Sequence, residues 1–201
     1  MKEKFNINQI PELKQAIIDL TDKEKNQLLI RLINKDQVLI EHLHFKLLEN
    51  DFDLVKRYED LKLEISDLLN MNSVLMKQVN VNQRAKFVMS LVRELSGRIN
   101  HFVKVTKSAY YELLLRTFLF ISSVELFIEQ HTEFSVYAEK LRVYQVNKLK
   151  VMLRLFEKLH DDLKYDFSLE FFDAIQFACS NSLNQELIAA NVDYLQFKLN
   201  D

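Results

Sequence analysis

Glycine and proline are almost missing from this chain of 201 residues, which holds one of each, Gly97 and Pro11, with a single cysteine, Cys179, and no tryptophan. Average usage would place about fourteen glycines and about ten prolines in this length. Phosphate-cradling loops, nucleophile elbows and dinucleotide fingerprints all need several glycines, because their backbone turns at positive φ or approaches a ligand closely. Tight hairpins with primed turns need glycine as well. Sandwiches and barrels are therefore excluded along with those chemistries. One cysteine cannot close an intrachain disulfide and leaves no cysteine pair to hold zinc.

A charge of one sign is missing too. Lys and Arg number 27 against 29 Asp and Glu, a formal net charge of −2, so overall composition makes no case for nucleic acid. Nor is there a long uncharged apolar run. The most apolar stretch, 108–128, carries Glu112, Arg116 and Glu125, whereas a bilayer-spanning helix wants about 20 apolar residues with few or no charges. The opening residues, Met-Lys-Glu-Lys-Phe-Asn-Ile-Asn-Gln, lack the apolar centre of a secretory signal. The expectation is a cytoplasmic protein without a membrane anchor.

What is present is helical periodicity. Hydrophobic residues make up 48% of the chain, and Phe alone numbers 15, enough for a sizeable core. With Gly and Pro absent, helix ends must be written by caps. Asn8 is placed to cap a first helix with Pro11 in its first turn. Thr21-Asp22-Lys23-Glu24 reads as a capping box for a second, and Asp36 can cap a third. The joint at Asn50-Asp51 opens a fourth, with Leu54, Tyr58, Leu61, Ile65, Leu68 and Leu69 on one side. Residues 70–82, rich in Asn and Ser, read as a packed linker. A long helix follows, whose phase carries through Ser96-Gly97, where a kink is allowed; a break with Gly97 as a C-cap is the alternative.

The segment 108–131 is apolar almost all round, which places it among other helices. A joint begins at His131-Thr132, a helix is expected over 134–163, and Tyr165–Ser168 reads as another joint. Ser168 and Glu170 would then open a helix to about Ser180, and Asn184 can cap a last one through Leu199. The sum is an all-α protein of about nine amphipathic helices with short links, either a multi-helix bundle or a short HEAT-like stack of helical hairpins. It reads as a single domain over 1–201, subdivided as N-terminal hairpins (1–70) and a larger bundle (81–201).

Three constellations bear on function. The first is a Glu-x-x-His pair on each of two predicted helices, Glu41/His44 and Glu157/His160, the spacing used by di-metal carboxylate bundles. Glu112 or Glu125 with Glu64 or Glu94 would complete such a site. Helical phase turns Glu41 toward solvent and leaves His44 on the flank, whereas His160 falls on the stripe of Leu149, Phe156 and Leu163 with Glu157 at its edge; the plainer reading of both is surface glutamate beside a half-buried histidine. His42 faces away from His44, His101 lies on a polar side, and Cys179 reads as a small core residue.

The second is charge segregation: a local net charge of +6 between Lys77 and Arg116, and of −4 between Glu41 and Asp67. On the long middle helix Lys86, Arg93, Lys104 and Lys107 fall on one line about 30 Å long at 1.5 Å per residue, with no acid and no aromatic on it. A solvated back face is the plain reading; an acidic protein surface or, second, a nucleic-acid backbone is the functional one. The third is a crowd of Phe residues in the second half (Phe118, Phe120, Phe127, Phe134, Phe171, Phe172 and Phe177), which is core unless part of it forms a groove for a partner helix or a homodimer seam. No catalytic set and no cofactor signature emerges. The expected function is a non-enzymatic helical interaction or scaffold protein, with a di-metal helical-bundle enzyme and a nucleic-acid-associated protein as alternatives.

Overall fold

The computed structural model describes residues 6–129 and 135–198, except for the side chain of Glu170. The expected joint at His131-Thr132, Phe134 and Leu199 lie outside the described residues. Among the described residues there are nine α-helices: α1 Pro11–Ile18, α2 Asp22–Ile33, α3 Gln37–Leu48, α4 Asp51–Met76, α5 Val81–Thr106, α6 Ala109–Glu129, α7 Ala138–Glu157, α8 Asp161–Ala178 and α9 Asn184–Ala189. No strand occurs among the described residues. None of these helices is long and apolar enough to cross a membrane.

The chain divides into two compact units, Met1–Leu48 and Glu49–Asp201. The first holds α1 to α3, and none of its described residues is buried. Its helix starts follow the capping chemistry. Asn6, not Asn8, caps a 3-10 turn ahead of α1, and Pro11 is the first residue of α1. The Thr21 hydroxyl and backbone N–H both donate to Glu24 Oε2, at 2.6 and 2.9 Å, and these bonds hold the Glu24 carboxyl below its ordinary range. Asp36 Oδ1 accepts from the Leu39 N–H at 3.1 Å to start α3.

The second unit is a bundle arranged around α6, which packs against α4, α5, α7 and α8. Two apolar clusters meet on it. Leu113, Leu114, Phe120 and Val124 face α7, α8 and the returning Phe197. Leu115, Leu119, Leu126 and Phe127 face α4, α5 and the first turn of α7. The helix that is apolar almost all round is thus the centre of the unit.

Boundaries differ from the sequence expectation in three places. The linker over 70–82 is mostly helix, since α4 runs to Met76, which is fully buried. Asn72 Nδ2 donates to the Leu68 carbonyl at 2.7 Å and Ser73 Oγ to that of Asn70 at 2.9 Å, so polar side chains that favour turns are absorbed by the helix's own backbone. The joint is only 77–80, where Asn80 Oδ1 accepts from the Asn82 N–H at 3.0 Å and caps α5. The joint at Tyr165–Ser168 is likewise helical. Phe167 is buried against Phe156, Phe171 and Phe197 with ring centres 5.1 to 5.4 Å apart, and this packing overrides local propensity. The chain turns instead at 158–160. Last, α9 begins at Asn184 without a side-chain cap and stops at Ala189, not Leu199. A 3-10 turn, Tyr194–Phe197, then returns Phe197 to the core.

With glycine unavailable, two other residues take the left-handed conformation: Lys107 (φ 57°), which closes α5, and Asn191 (φ 50°). Gly97, by contrast, sits inside α5 with nothing within 4 Å of where a Cβ would lie. Gly97→Ala is therefore expected to raise unfolding free energy by about 0.5–1 kcal/mol through helix propensity and unfolded-state entropy, measured by urea denaturation. Phe167→Ala is expected to lower it by about 3–5 kcal/mol, since three rings lose their common partner.

Candidate functional site

The metal-binding arrangement does not assemble. Glu157 is the last residue of α7, and His160 is extended (φ −63°, ψ 150°) and caps α8, its Nδ1 accepting from the Asp162 N–H at 3.4 Å. The pair therefore does not share a helix, and the His160 side chain is 75% exposed. Glu41 and His44 do share α3, where Glu41 is half-buried and accepts from Gln37 Nε2 at 3.2 Å while His44 is exposed. The supporting glutamates are engaged elsewhere: Glu112 holds Arg116 at 2.7 Å, and Glu64 and Glu94 both hold Arg98. Glu125 is exposed on α6. Among the described residues no group of three His, Cys, Asp or Glu could hold a metal ion.

Cys179 is buried, and burial pushes its thiol up to about 12, the opposite of what a nucleophile needs. The Phe crowd is mostly core. Phe120 and Phe127 are buried, Phe118, Phe171 and Phe172 half-buried, and Phe177 exposed.

The basic line on α5 fares differently. Lys86, Arg93, Lys104 and Lys107 are all exposed. Lys107 lies just past the helix end as its left-handed cap, its N–H donating to the Val103 carbonyl at 2.9 Å. Contrary to the reading of the line as free of aromatics, α7 places two tyrosines beside it. The Lys86 ammonium is 5.7 Å from the centre of the Tyr137 ring, and Lys140 of α7 sits at the same distance from that ring. The Arg93 guanidinium is 5.3 Å from the centre of Tyr144, with Lys148 at 4.9 Å. Each ring thus carries one cation from α5 and one from α7.

Helical geometry explains the arrangement. Lys86 and Arg93 are seven residues apart, as are Tyr137 and Tyr144, so two turns of each helix repeat the same contact about 10.5 Å further along. Both pairs advance in the same sense, so α5 and α7 run parallel. Lys140 and Lys148 flank Tyr144 at four residues on either side, the spacing at which helix side chains meet. The cations sit over the ring faces, where the ring quadrupole attracts them.

None of these four cations has a carboxylate partner among the described residues. Elsewhere in the unit Arg57 is bound by Glu49, Arg98 by Glu64, Arg116 by Glu112 and Arg142 by Glu186. The tyrosine-seated strip is therefore a concentration of uncompensated charge. Below it, the buried Gln145 donates from Nε2 to Ser123 Oγ at 3.3 Å. With Ser96, Arg116 and Lys148 it lines a cavity of about 20 Å³, room for about one water and too small for a metabolite.

Sequence reasoning reached the α5 half of this strip and missed Tyr137, Lys140, Tyr144 and Lys148. The seven-residue spacing of the two tyrosines was readable, but the neighbourhood of this face with α5 was not. Comparison of the chain with known protein families, with curated proteins and with solved structures finds no match in any of the three.

The cysteine supplies a test of the core around it. Its folded value lies above the ordinary 9.0, so its contribution to stability is complete below pH 9 and is lost as pH rises from there toward about 12. In the native protein at pH 8 Cys179 is expected to react with a disulfide reagent at least 100-fold more slowly than after unfolding in urea, measured by thiolate release.

Proposed function

We propose that this protein is a non-enzymatic interaction module whose α5–α7 face captures an acidic helix of a protein partner. The observation that carries the reading is the strip itself: Lys86 and Lys140 on Tyr137, Arg93 and Lys148 on Tyr144. Binding an acidic surface to charges already held in place costs less side-chain entropy than ordering free lysines would. The repeat supports a helical ligand. Carboxylates at i and i+7 of a helix recur about every 10.5 Å, the repeat of the strip. Lys104 extends the charge along the same line, and Lys107 stands just past its end as the helix cap.

A nucleic-acid backbone is the second reading, supported by the interleaved tyrosines, which bases can stack on. Both faces of the competition are accessible to one assay. A labelled helical peptide with glutamate pairs at seven-residue spacing is expected to bind at 50 mM salt, by fluorescence anisotropy, more tightly than an oligothymidine of equal charge. Lys86→Glu with Arg93→Glu is expected to weaken peptide binding at least tenfold with unchanged helicity by circular dichroism. Tighter binding of the oligonucleotide, with a steep fall in salt, would transfer the strip to nucleic acid.

A further inference from the structure

One surface of the molecule has the chemistry that the strip calls for, and it is on α4. Asp53, Asp60 and Asp67 follow one another at seven-residue intervals along this helix, so a line of carboxylates repeats about every 10.5 Å. Asp60 and Asp67 are exposed and have no hydrogen-bond or ion-pair partner among the described residues. Asp53 is half-buried and accepts from the Asn50 N–H at 3.0 Å, which fixes the end of the line. Beside the aspartates the same helix exposes apolar side chains, Leu63 at 62% and Val74 at 59%, which gain from cover.

Within one chain this line cannot reach the strip. Packing of α4 on α5 is pinned by the ion pair of Glu64 with Arg98, and Arg98 lies about 140° around α5 from Arg93 at 100° per residue. The acidic line and the cationic strip are therefore outward-facing and separate, equal in repeat and opposite in charge. We infer that a second copy of this chain is a ligand of the strip, docking the Asp60–Asp67 side of its α4 along Lys86 and Arg93. This identity of the partner rests on the reading of the strip as a site for an acidic helix. The contact joins two different surfaces, so it leaves one of each unfilled in a pair and extends into short chains as concentration rises.

Sedimentation velocity over a hundredfold concentration range tests it. At 50 mM salt the full-length protein is expected to gain mass with concentration, and at 500 mM to remain a monomer. Lys86→Glu with Arg93→Glu, and separately Asp60→Lys with Asp67→Lys, should each weaken self-association at least tenfold. An equimolar mixture of the Lys86/Arg93 variant with Asp60→Asn/Asp67→Asn should form one-to-one dimers and no more, since each keeps one native surface and a neutralised line does not attract the reversed strip. Asp60→Asn with Asp67→Asn, which removes charge without reversing it, replaces the lysine pair if that variant does not fold. A wild-type protein monomeric throughout at 50 mM salt overturns the inference, as does an aspartate variant that associates like the wild type. If the wild type is monomeric yet binds the glutamate peptide, only the second copy is lost; if the Lys86/Arg93 variant also keeps the peptide, the strip itself is.

Discussion

A helix that is apolar around almost its whole circumference can be hidden from water only by helices on most of its sides, and the second unit is the solution to that constraint for α6. Its two sets of side chains, Leu113 to Val124 on one flank and Leu115 to Phe127 on the other, each need a wall. One wall is built from α7, α8 and the returning Phe197, the other from α4, α5 and the start of α7. Because α5 and α7 must both lie on α6, they become neighbours, with their polar sides turned outward along a shared edge. The cationic strip is thus a by-product of where the core requires two helices to lie, and its spacing is inherited from their pitch.

Much of this was legible in the chain. Caps at Thr21, Asp36 and Asn50 mark helix starts where the structure has them, because a side-chain oxygen that satisfies an orphan N–H is a local interaction. The centrality of α6 followed from counting apolar residues, and the continuity of α5 through Gly97 from its phase. What failed were the weak breaks. Asn72 and Ser73 look like a linker until Met76 is seen to be buried, and Tyr165–Ser168 looks like a turn until Phe167 is seen to sit among three other rings. Burial of a side chain more than outweighs the few tenths of a kcal/mol by which such residues disfavour helix.

The site was half legible for a related reason. Periodicity assigns a residue to a face of its own helix and says nothing about which helix lies next to it. Lys86 and Arg93 share a line on α5, and that much is arithmetic. Tyr137 and Tyr144 are placed beside them only by the packing of both helices on α6. The histidine pair fails from the same local blindness in reverse: Glu157 and His160 have helical spacing, but the helix ends between them. Arg57, Arg98, Arg116 and Arg142 meet carboxylates, while the strip's cations meet aromatic faces, which hold a cation in place without neutralising it.

Because α5 and α7 are parallel, their peptide dipoles point the same way. Two N-terminal ends, each equivalent to roughly half a positive charge, lie together near Asn80 and Tyr137, at the end of the strip that holds Lys86 and Lys140. The opposite end meets two carbonyl termini of negative sign, offset there by Lys104 and Lys107. The electrostatic potential along this edge is therefore graded and not uniform. An anionic helix aligned on it meets a directional field, which favours its own C-terminal end lying against the paired N-termini and so gives the edge a polarity as well as a charge.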